Sequence, residues 1–368
     1  MRLTIVQTLP ALESGGVERG TLEIAAEIVR QGHRSIVVSG GGRLVKNLAA
    51  IGSEHLDLPI GRKSVSVLLH VNRLARLLVE ENVSILHARS RLPAWISFLA
   101  LKKIHPDLRP KFVTTVHGQY SVNRYSKIML RGDRIIAISK FINNYICDNY
   151  PDIDKNKISI IHRGVSLLEF PYGYTPPATW LTAWQKDNPD LYGKYIVTLP
   201  ARLTRLKGHE DFINIICKGI AAGLPLHGLI VGGASSGKQH YLNQLRKRIA
   251  ETGTKNNITF IGHRDDLREI MAISNVILSL TQIPEAFGRT VLEALSIGKP
   301  VIAYNHGGVS EIMNELYPAG CVDPFDTAGV VHKLKEFCNH SPPVNDRNPF
   351  TLESMQQKTM TIYRSFYN

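Results

Sequence analysis

Two glutamates stand eight residues apart in the segment Pro284-Glu285-Ala286-Phe287-Gly288-Arg289-Thr290-Val291-Leu292-Glu293-Ala294-Leu295. The segment follows an apolar run and reads as the opening of a helix. Glu285 precedes that helix and Glu293 falls in its second turn. Helical side chains lean toward the N-terminus, so both carboxylates can reach one crevice. One can take sugar hydroxyls and the other a ribose diol, while the open N–H groups near Phe287, Gly288 and Arg289 suit a phosphate. The plain alternative is an acidic cap and a solvated glutamate; Gly288 and the turn Gly298-Lys299-Pro300 count against it.

Further on the basic side, Arg202 and Lys207 flank the loop Ala201-Arg202-Leu203-Thr204-Arg205-Leu206-Lys207-Gly208. Two cations beside a helix N-terminus suit a diphosphate, although a surface basic loop has the same composition. Ser14-Gly15-Gly16-Val17-Glu18 follows the first strand and lets backbone approach an anion, or is a structural turn. It lacks the G-x-G-x-x-G dinucleotide fingerprint. His117, in Thr115-Val116-His117-Gly118, ends a strand where it either faces a ligand or is satisfied locally. Arg89 and Arg91 end another strand, a position suited to bidentate phosphate contact.

The elements that must carry these residues alternate between strand and helix. Strands are expected at Leu3–Gln7, Ser35–Ser39, Ile85–Ala88, Phe112–Val116, Arg134–Ser139 and Ile158–Ile161. Helices fill the gaps, among them Val65–Glu81 and Lys140–Tyr150. A second series of strands runs through Tyr195–Leu199, His227–Val231, Ile258–Ile261, Val276–Leu280, Pro300–Ala303 and Gly320–Val322. Buried strands alternating with helices imply parallel sheets covered on both faces. Such sheets bind ligands beyond the carboxyl ends of their strands, which is where the motifs fall. The expected division is 1–170, a turn-rich linker 171–192, and 193–349, with a closing helix in 350–368 packing back on the first domain.

The 368-residue length exceeds what a single core sustains, roughly 250–300 residues. Ordinary hydrophobic content, 43%, argues against a disordered chain. No run approaches the ~18–20 apolar residues of a membrane span, and the short, soon polar N-terminus reads as a strand and not a signal peptide. Cys147, Cys217, Cys321 and Cys338 are widely separated, which fits a reducing compartment better than a zinc site or disulfide framework. Net charge is +13, and residues 1–170 carry 24 Lys and Arg against 14 Asp and Glu. An anionic partner, or merely a solvated basic face, follows from that excess.

Together these motifs resemble the retaining, GT-B-fold nucleotide-sugar glycosyltransferases of glycosyltransferase family 4. The matching text is Gly15-Gly16-Val17-Glu18, Val116-His117-Gly118, Ala137-Ile138-Ser139-Lys140 and Ile161-His162-Arg163-Gly164-Val165. It continues with Arg202…Lys207-Gly208, Leu229-Ile230-Val231-Gly232-Gly233, Phe260-Ile261-Gly262, Glu285-Ala286-Phe287-Gly288…Glu293-Ala294, Gly298-Lys299-Pro300-Val301 and Gly307-Gly308. The resemblance implies two Rossmann-like domains facing each other across a cleft, an acceptor domain first and a donor domain second. It implies that Arg202 and Lys207 hold the donor diphosphate, Glu293 the ribose, and Glu285 the transferred sugar, with Phe287 and Gly288 N–H groups nearby. Gly15 and Gly16 close on the phosphate, and His117 sits by the reacting sugar.

A retaining hexosyltransferase is therefore expected, with a nucleoside-diphosphate sugar as donor (UDP ahead of GDP or ADP) and no cofactor. Arg202 and Lys207 neutralise the leaving diphosphate, so no metal is expected; Asp152-Ile153-Asp154 sits in a linker-like turn. The Arg89 and Arg91 pair points to an anionic glycolipid or saccharide acceptor, such as lipopolysaccharide core. With the basic first half, it also points to a cytoplasmic enzyme held peripherally on the acidic inner face of the membrane. A nucleotide-sugar epimerase or a phosphorylase shares this fold. A nucleic-acid-binding protein would explain the charge, but no recognised module is present, so no nucleic acid partner is expected.

Overall fold

The computed structural model describes residues 1–13, 15–233 and 239–367. The chain forms two compact units, Met1–Gly164 with Leu352–Asn368, and Val165–Thr351. The first is built on a seven-stranded parallel sheet and the second on a six-stranded one. These are the two doubly wound α/β domains expected from the alternation.

In the first unit the strands are β1 (Thr4–Thr8), β2 (Arg34–Ser39), β3 (Glu54–Asp57), β4 (Ile85–Ala88), β5 (Lys111–Val116), β6 (Arg134–Ala137) and β7 (Ile158–Ile160). Their order is β3-β2-β1-β4-β5-β6-β7. The chain winds outward from β1 to β3, then returns to lay β4 on the other side of β1. That reversal opens a crevice at the carboxyl ends of β1 and β4. In the second unit the strands are β8 (Tyr195–Pro200), β9 (Leu226–Val231), β10 (Ile258–Gly262), β11 (Val276–Ser279), β12 (Val301–Tyr304) and β13 (Cys321–Val322). Their order, β10-β9-β8-β11-β12-β13, places the same reversal between β8 and β11.

Strands β4, β9 and β12 are buried at every residue. Helices cover both faces, so apolar runs and not alternation mark them in the sequence. Strand β3 escaped that reading because Glu54, His55 and Asp57 make it polar. It is an edge strand tied down by Arg34, whose Nε meets Glu54 Oε1 at 2.6 Å and whose other nitrogen pairs with Glu81. The expected helix Val65–Glu81 begins instead as a tight 3-10 turn, Val65–Leu69, and becomes α-helical at His70–Glu80. Ser64 Oγ caps the turn by accepting from Ser66 N at 3.3 Å.

Residues 171–192 lie in the second unit and are more structured than a linker. They include the helix Ala178–Asp187, where Trp184 is buried and stacks on Trp180 with centroids 5.1 Å apart. Trp180 Nε1 donates to Asp266 Oδ2 at 2.7 Å. The prolines and tyrosines of this stretch mark its turns, and they masked a short helix held by two tryptophans.

The closing helix, Leu352–Arg364, belongs to the first unit. Met355, Met360, Ile362 and Tyr363 join Leu3, Ile5, Ile24 and Ile28 in one buried cluster. Burying each such aliphatic side chain contributes about 1.5–3 kcal/mol. This segment is therefore part of the core that holds β1 and the helix Gly16–Arg30.

Candidate functional site

In the second unit the loop after β8 is anchored to its neighbours by backbone. Ala201 N donates to Val231 O at 2.9 Å, and Leu203 N to Gly233 O at 3.3 Å. The loop closes in a 3-10 turn, Arg205–Lys207, and the helix His209–Ala221 follows. Gly208 joins them at φ 73°, and a Cβ there would fall 2.0 Å from Leu280 O. No other residue allows that approach of the β8 loop to the end of β11.

The close approach delivers Lys207 to Glu285. The ammonium and carboxylate form an ion pair across the crevice between β8 and β11. Thr281 Oγ1 donates to the same carboxylate oxygen at 3.0 Å. A cavity of about 40 Å³ lies beside them, lined by Pro200, Ala201, Lys207, Ser279, Glu285 and Thr290 among others. Arg202 is exposed beside Ala201. No group of three His, Cys, Asp or Glu among the described residues is placed to hold a metal ion.

Glu285 is also fixed through its backbone. Gly308 N donates to Glu285 O at 2.7 Å, and a Cβ on Gly308 would lie 2.4 Å from Ala286 O. The two small-residue loops therefore interlock. Phe287 is buried against Phe350, ring centroids 5.9 Å apart. Gly288, at φ 98°, starts the helix Arg289–Ser296. Glu293 projects from that helix with 6% exposure, and its Oε1 accepts from Arg289 Nε at 3.0 Å.

In the first unit, Gly15 and Gly16 stand at the start of the helix Gly16–Arg30, with Gly15 at φ 152°. Ser14 of the same motif lies outside the described residues. His117 follows β5, and its Nδ1 accepts from Arg163 Nη2 at 2.7 Å. Burial, with the cations of Arg163 and Arg89, holds the imidazole well below its ordinary value, so it is neutral.

Arg89 does not lie at a surface, contrary to the expectation of an acceptor contact. It is 2% exposed, and its Nε donates to Gln7 Oε1 at 2.7 Å. Side chains two residues apart on a strand share a face. Arg89 therefore follows His87 toward the closing helix, where it faces Tyr363, and it also faces Glu23 of the helix Gly16–Arg30. Position at a strand end was legible; the face was not. Arg91 is half-buried: Nη1 donates to Ser126 Oγ at 3.2 Å, and the guanidinium lies 4.7 Å above the Tyr120 ring.

Comparison with known proteins shows the family. Residues 14–168 match the model of Glycosyltransferase Family 4, and residues 182–350 that of Glycosyl transferases group 1. A glycosyltransferase structure from Rickettsia africae is 32% identical and covers 100% of this chain and 99% of its own, with a TM-score of 0.84. The chain belongs to glycosyltransferase family 4. The fold of the transferase is also that of Anabaena HepE, solved in complex with UDP-glucose, at 18% identity, TM-score 0.79, and 99% and 100% coverage. A curated relative, the lipopolysaccharide core biosynthesis mannosyltransferase LpsB of Rhizobium meliloti, is 25% identical over 229 residues, 62% of this chain and 60% of its own.

Several residues that organise the transferase's site were not legible in its sequence. Thr281 carries no motif, yet it bonds Glu285 through its hydroxyl. His306 Nε2 lies 2.9 Å from Thr281 O, so the ring donates there. Asp211 accepts from Tyr304 OH at 2.7 Å and Gln282 Nε2 at 2.8 Å, binding the helix after Gly208 to β12 and to the loop after β11. His306 and Asp211 act on partners far away in sequence, which no local motif reveals.

The β8 loop also carries a pH sensitivity. His209 is buried, and Nδ1 lies 3.2 Å from Thr204 O. Burial pushes its pKa down to about 4. The unfolded chain regains the ordinary value near 6.5. Below that pH the unfolded state takes a proton that the folded state refuses, and stability falls until pH reaches about 4. Between pH 7 and pH 5 this one group removes about 2 kcal/mol. His87, His117, His227 and His306, all lowered chiefly by burial, act in the same direction. His209→Gln is expected to flatten the slope by its share, as read from urea denaturation at the two pH values. An unchanged slope would remove the assignment to His209.

Proposed function

We propose that the transferase moves a hexose-type sugar from a nucleoside-diphosphate sugar, UDP ahead of GDP or ADP, to an anionic saccharide or glycolipid, with retention of anomeric configuration. The observation that carries this reading is the Lys207–Glu285 pair at the β8/β11 crevice, beside exposed Arg202 and a helix-opening Gly288. The second unit is then the donor domain and the first the acceptor domain.

Bond cleavage builds negative charge on the diphosphate and positive charge on the sugar. Arg202 and Lys207 stabilise the leaving group, and the N–H groups of Phe287 and Gly288 add fixed dipoles. Glu285, oriented by Thr281, accepts from hydroxyls of the transferred sugar, and Glu293 accepts from the ribose. In the first unit, Gly15 and Gly16 offer backbone to an anionic group and His117 an uncharged ring to substrate. Glu285 is engaged by Lys207 and Thr281, which favours leaving-group departure and acceptor attack on one face over a covalent carboxylate intermediate. The UDP-glucose complex of HepE supports the donor class, and the mannosyltransferase relative supports a lipopolysaccharide core or envelope acceptor.

The direct test is a transfer assay with UDP-, GDP- and ADP-sugars in excess EDTA. Turnover is expected to survive chelation, since the two cations neutralise the diphosphate. The product anomer, read by NMR, is expected to match the donor. Activity lost to EDTA and restored by Mg²⁺ or Mn²⁺ would overturn the metal-independent reading.

A lipid-anchored acceptor would bring the enzyme to the acidic inner face of the membrane. No helix among the described residues is long and apolar enough to cross it. Support for peripheral docking comes from Val65, Leu68 and Leu69, exposed by 82%, 51% and 76%. Arg62, Lys63, Arg73 and Arg76 are exposed around them, and residues 58–79 hold no Asp or Glu. Flotation with anionic vesicles is expected at low salt and to fade toward 1 M, where screening shortens to about 3 Å. Leu69→Ser should reduce it, and salt-independent or absent binding would remove the membrane claim.

A further inference from the structure

His117 presents an unusual pair of ring nitrogens. Its Nδ1 lies 2.7 Å from Arg163 Nη2, and a guanidinium only donates. Nδ1 therefore carries a lone pair, and the ring proton of the neutral imidazole sits on Nε2. That Nε2–H is buried and has no hydrogen-bond partner among the described residues. Buried N–H groups without an acceptor are rare in native proteins, and one at the carboxyl edge of a sheet is placed for an acceptor that arrives with a ligand.

Arg163 reaches this position by an improbable route. It follows β7, is 8% exposed, and runs beneath the helix Gly16–Arg30. A Cβ on Gly20 of that helix would sit 2.3 Å from Arg163 Nη1 and 2.9 Å from Cζ. On the other side Nη1 approaches Met355 Sδ of the closing helix at 3.8 Å. Glycine in a helix interior costs stability relative to alanine. Here it leaves the space that the guanidinium fills.

We propose that Arg163 is a positioning residue that fixes His117 in the Nε2–H tautomer, with Gly20 as the gap that admits it. His117 then acts as an uncharged hydrogen-bond donor to a substrate oxygen and not as a proton acceptor. This rests on the sugar-transfer reading for the identity of that oxygen alone. The groups around His117 agree. Arg163 faces it from the β7 side, and Arg89 and His87 from β4. The Tyr120 hydroxyl lies 3.4 Å from its backbone N. Behind them, Glu23 of the helix Gly16–Arg30 and Tyr363 of the closing helix face Arg89. Both cations next to the ring disfavour imidazolium, and burial adds to them.

The test uses full-length protein labelled with ¹⁵N-histidine, with His117 assigned by loss of its signals in His117→Gln. In wild type, His117 is expected to show a protonated Nε2 and no titration between pH 8 and pH 5. Arg163→Met and Gly20→Ala should both free the ring, which then samples both tautomers and titrates nearer the ordinary 6.5. Gly20→Ala displaces only the end of a flexible side chain and favours the helix, so it reports on the lock even if Arg163→Met folds poorly. In the transfer assay at pH 7 both should lower kcat roughly tenfold, as for histidines that lose an orienting partner, with KM changed less. Arg163→Lys, which still donates, should restore most of it. A wild-type His117 protonated on Nδ1, or titrating between pH 5 and pH 8, would overturn the proposal. So would an unchanged tautomer in Gly20→Ala. If no sugar is transferred at all, the NMR result still decides the lock, and only the transfer reading fails.

Discussion

Lys207→Ala is expected to lower kcat by roughly 10²–10³-fold while weakening ground-state donor binding far less. Charge on the diphosphate is greatest in the transition state, so a cation held there acts mainly on turnover. The variant has a second consequence visible in the structure. Lys207 and Glu285 side chains are 27% and 24% exposed, and each neutralises the other before donor arrives. Without Lys207, Glu285 keeps the Thr281 hydroxyl but loses its ion-pair cation, and presents that charge to an anionic donor. Steady-state kinetics beside calorimetry of UDP binding separates the two effects. A kcat within threefold of wild type would show that Lys207 does not stand at the diphosphate.

Glu293→Gln is expected to raise the Kd for a nucleoside diphosphate by about 5–150-fold, the effect of about 1–3 kcal/mol lost at a buried acceptor. Glutamine is the informative replacement. Glu293 is nearly buried and pairs with Arg289 within one helix, at 3.0 Å. Alanine would remove both the Arg289 contact and a buried side chain's volume, confusing folding with binding. Glutamine keeps the volume and one acceptor oxygen. A 2′,3′-dideoxy nucleotide provides the control: it should bind wild type and variant equally, because no diol is present to be read. Equal loss with both nucleotides would place Glu293 away from the ribose.

What the sequence reveals about this enzyme divides by distance along the chain. Apolar runs such as Leu226–Val231 identify buried strands, because a parallel sheet covered on both faces needs no polar alternation. Glu285, Gly288 and Glu293 are legible because one helix start fixes their relation. The partners of those residues are another matter. Thr281 stands in the loop after β11, His306 just before the helix Gly307–Leu316 and Asp211 within the helix His209–Ala221, and their residue types are ordinary. Arg89 shows the complementary limit: its place at the end of β4 was readable, but the strand pleat sends it inward to Gln7. Edge strand β3 and the helix Ala178–Asp187 were hidden by composition, one by charge and the other by surrounding prolines.

The way the closing helix returns gives the second unit the character of a cassette. Residues Val165–Thr351 interrupt a unit whose own sequence resumes at Leu352. The two strands of chain that enter and leave the cassette run side by side: Val165 bridges Thr351, and Val165 N donates to Phe350 O at 3.0 Å. During synthesis the cassette can complete its sheet while the first unit still lacks Met355, Met360 and Tyr363. The first unit, though made before the cassette, therefore finishes folding after it, and a stop codon after Thr351 would damage the first unit and spare the one just made. With its ends already adjacent, Val165–Thr351 is also the natural piece to exchange between relatives as a unit, leaving the first unit's sheet unbroken.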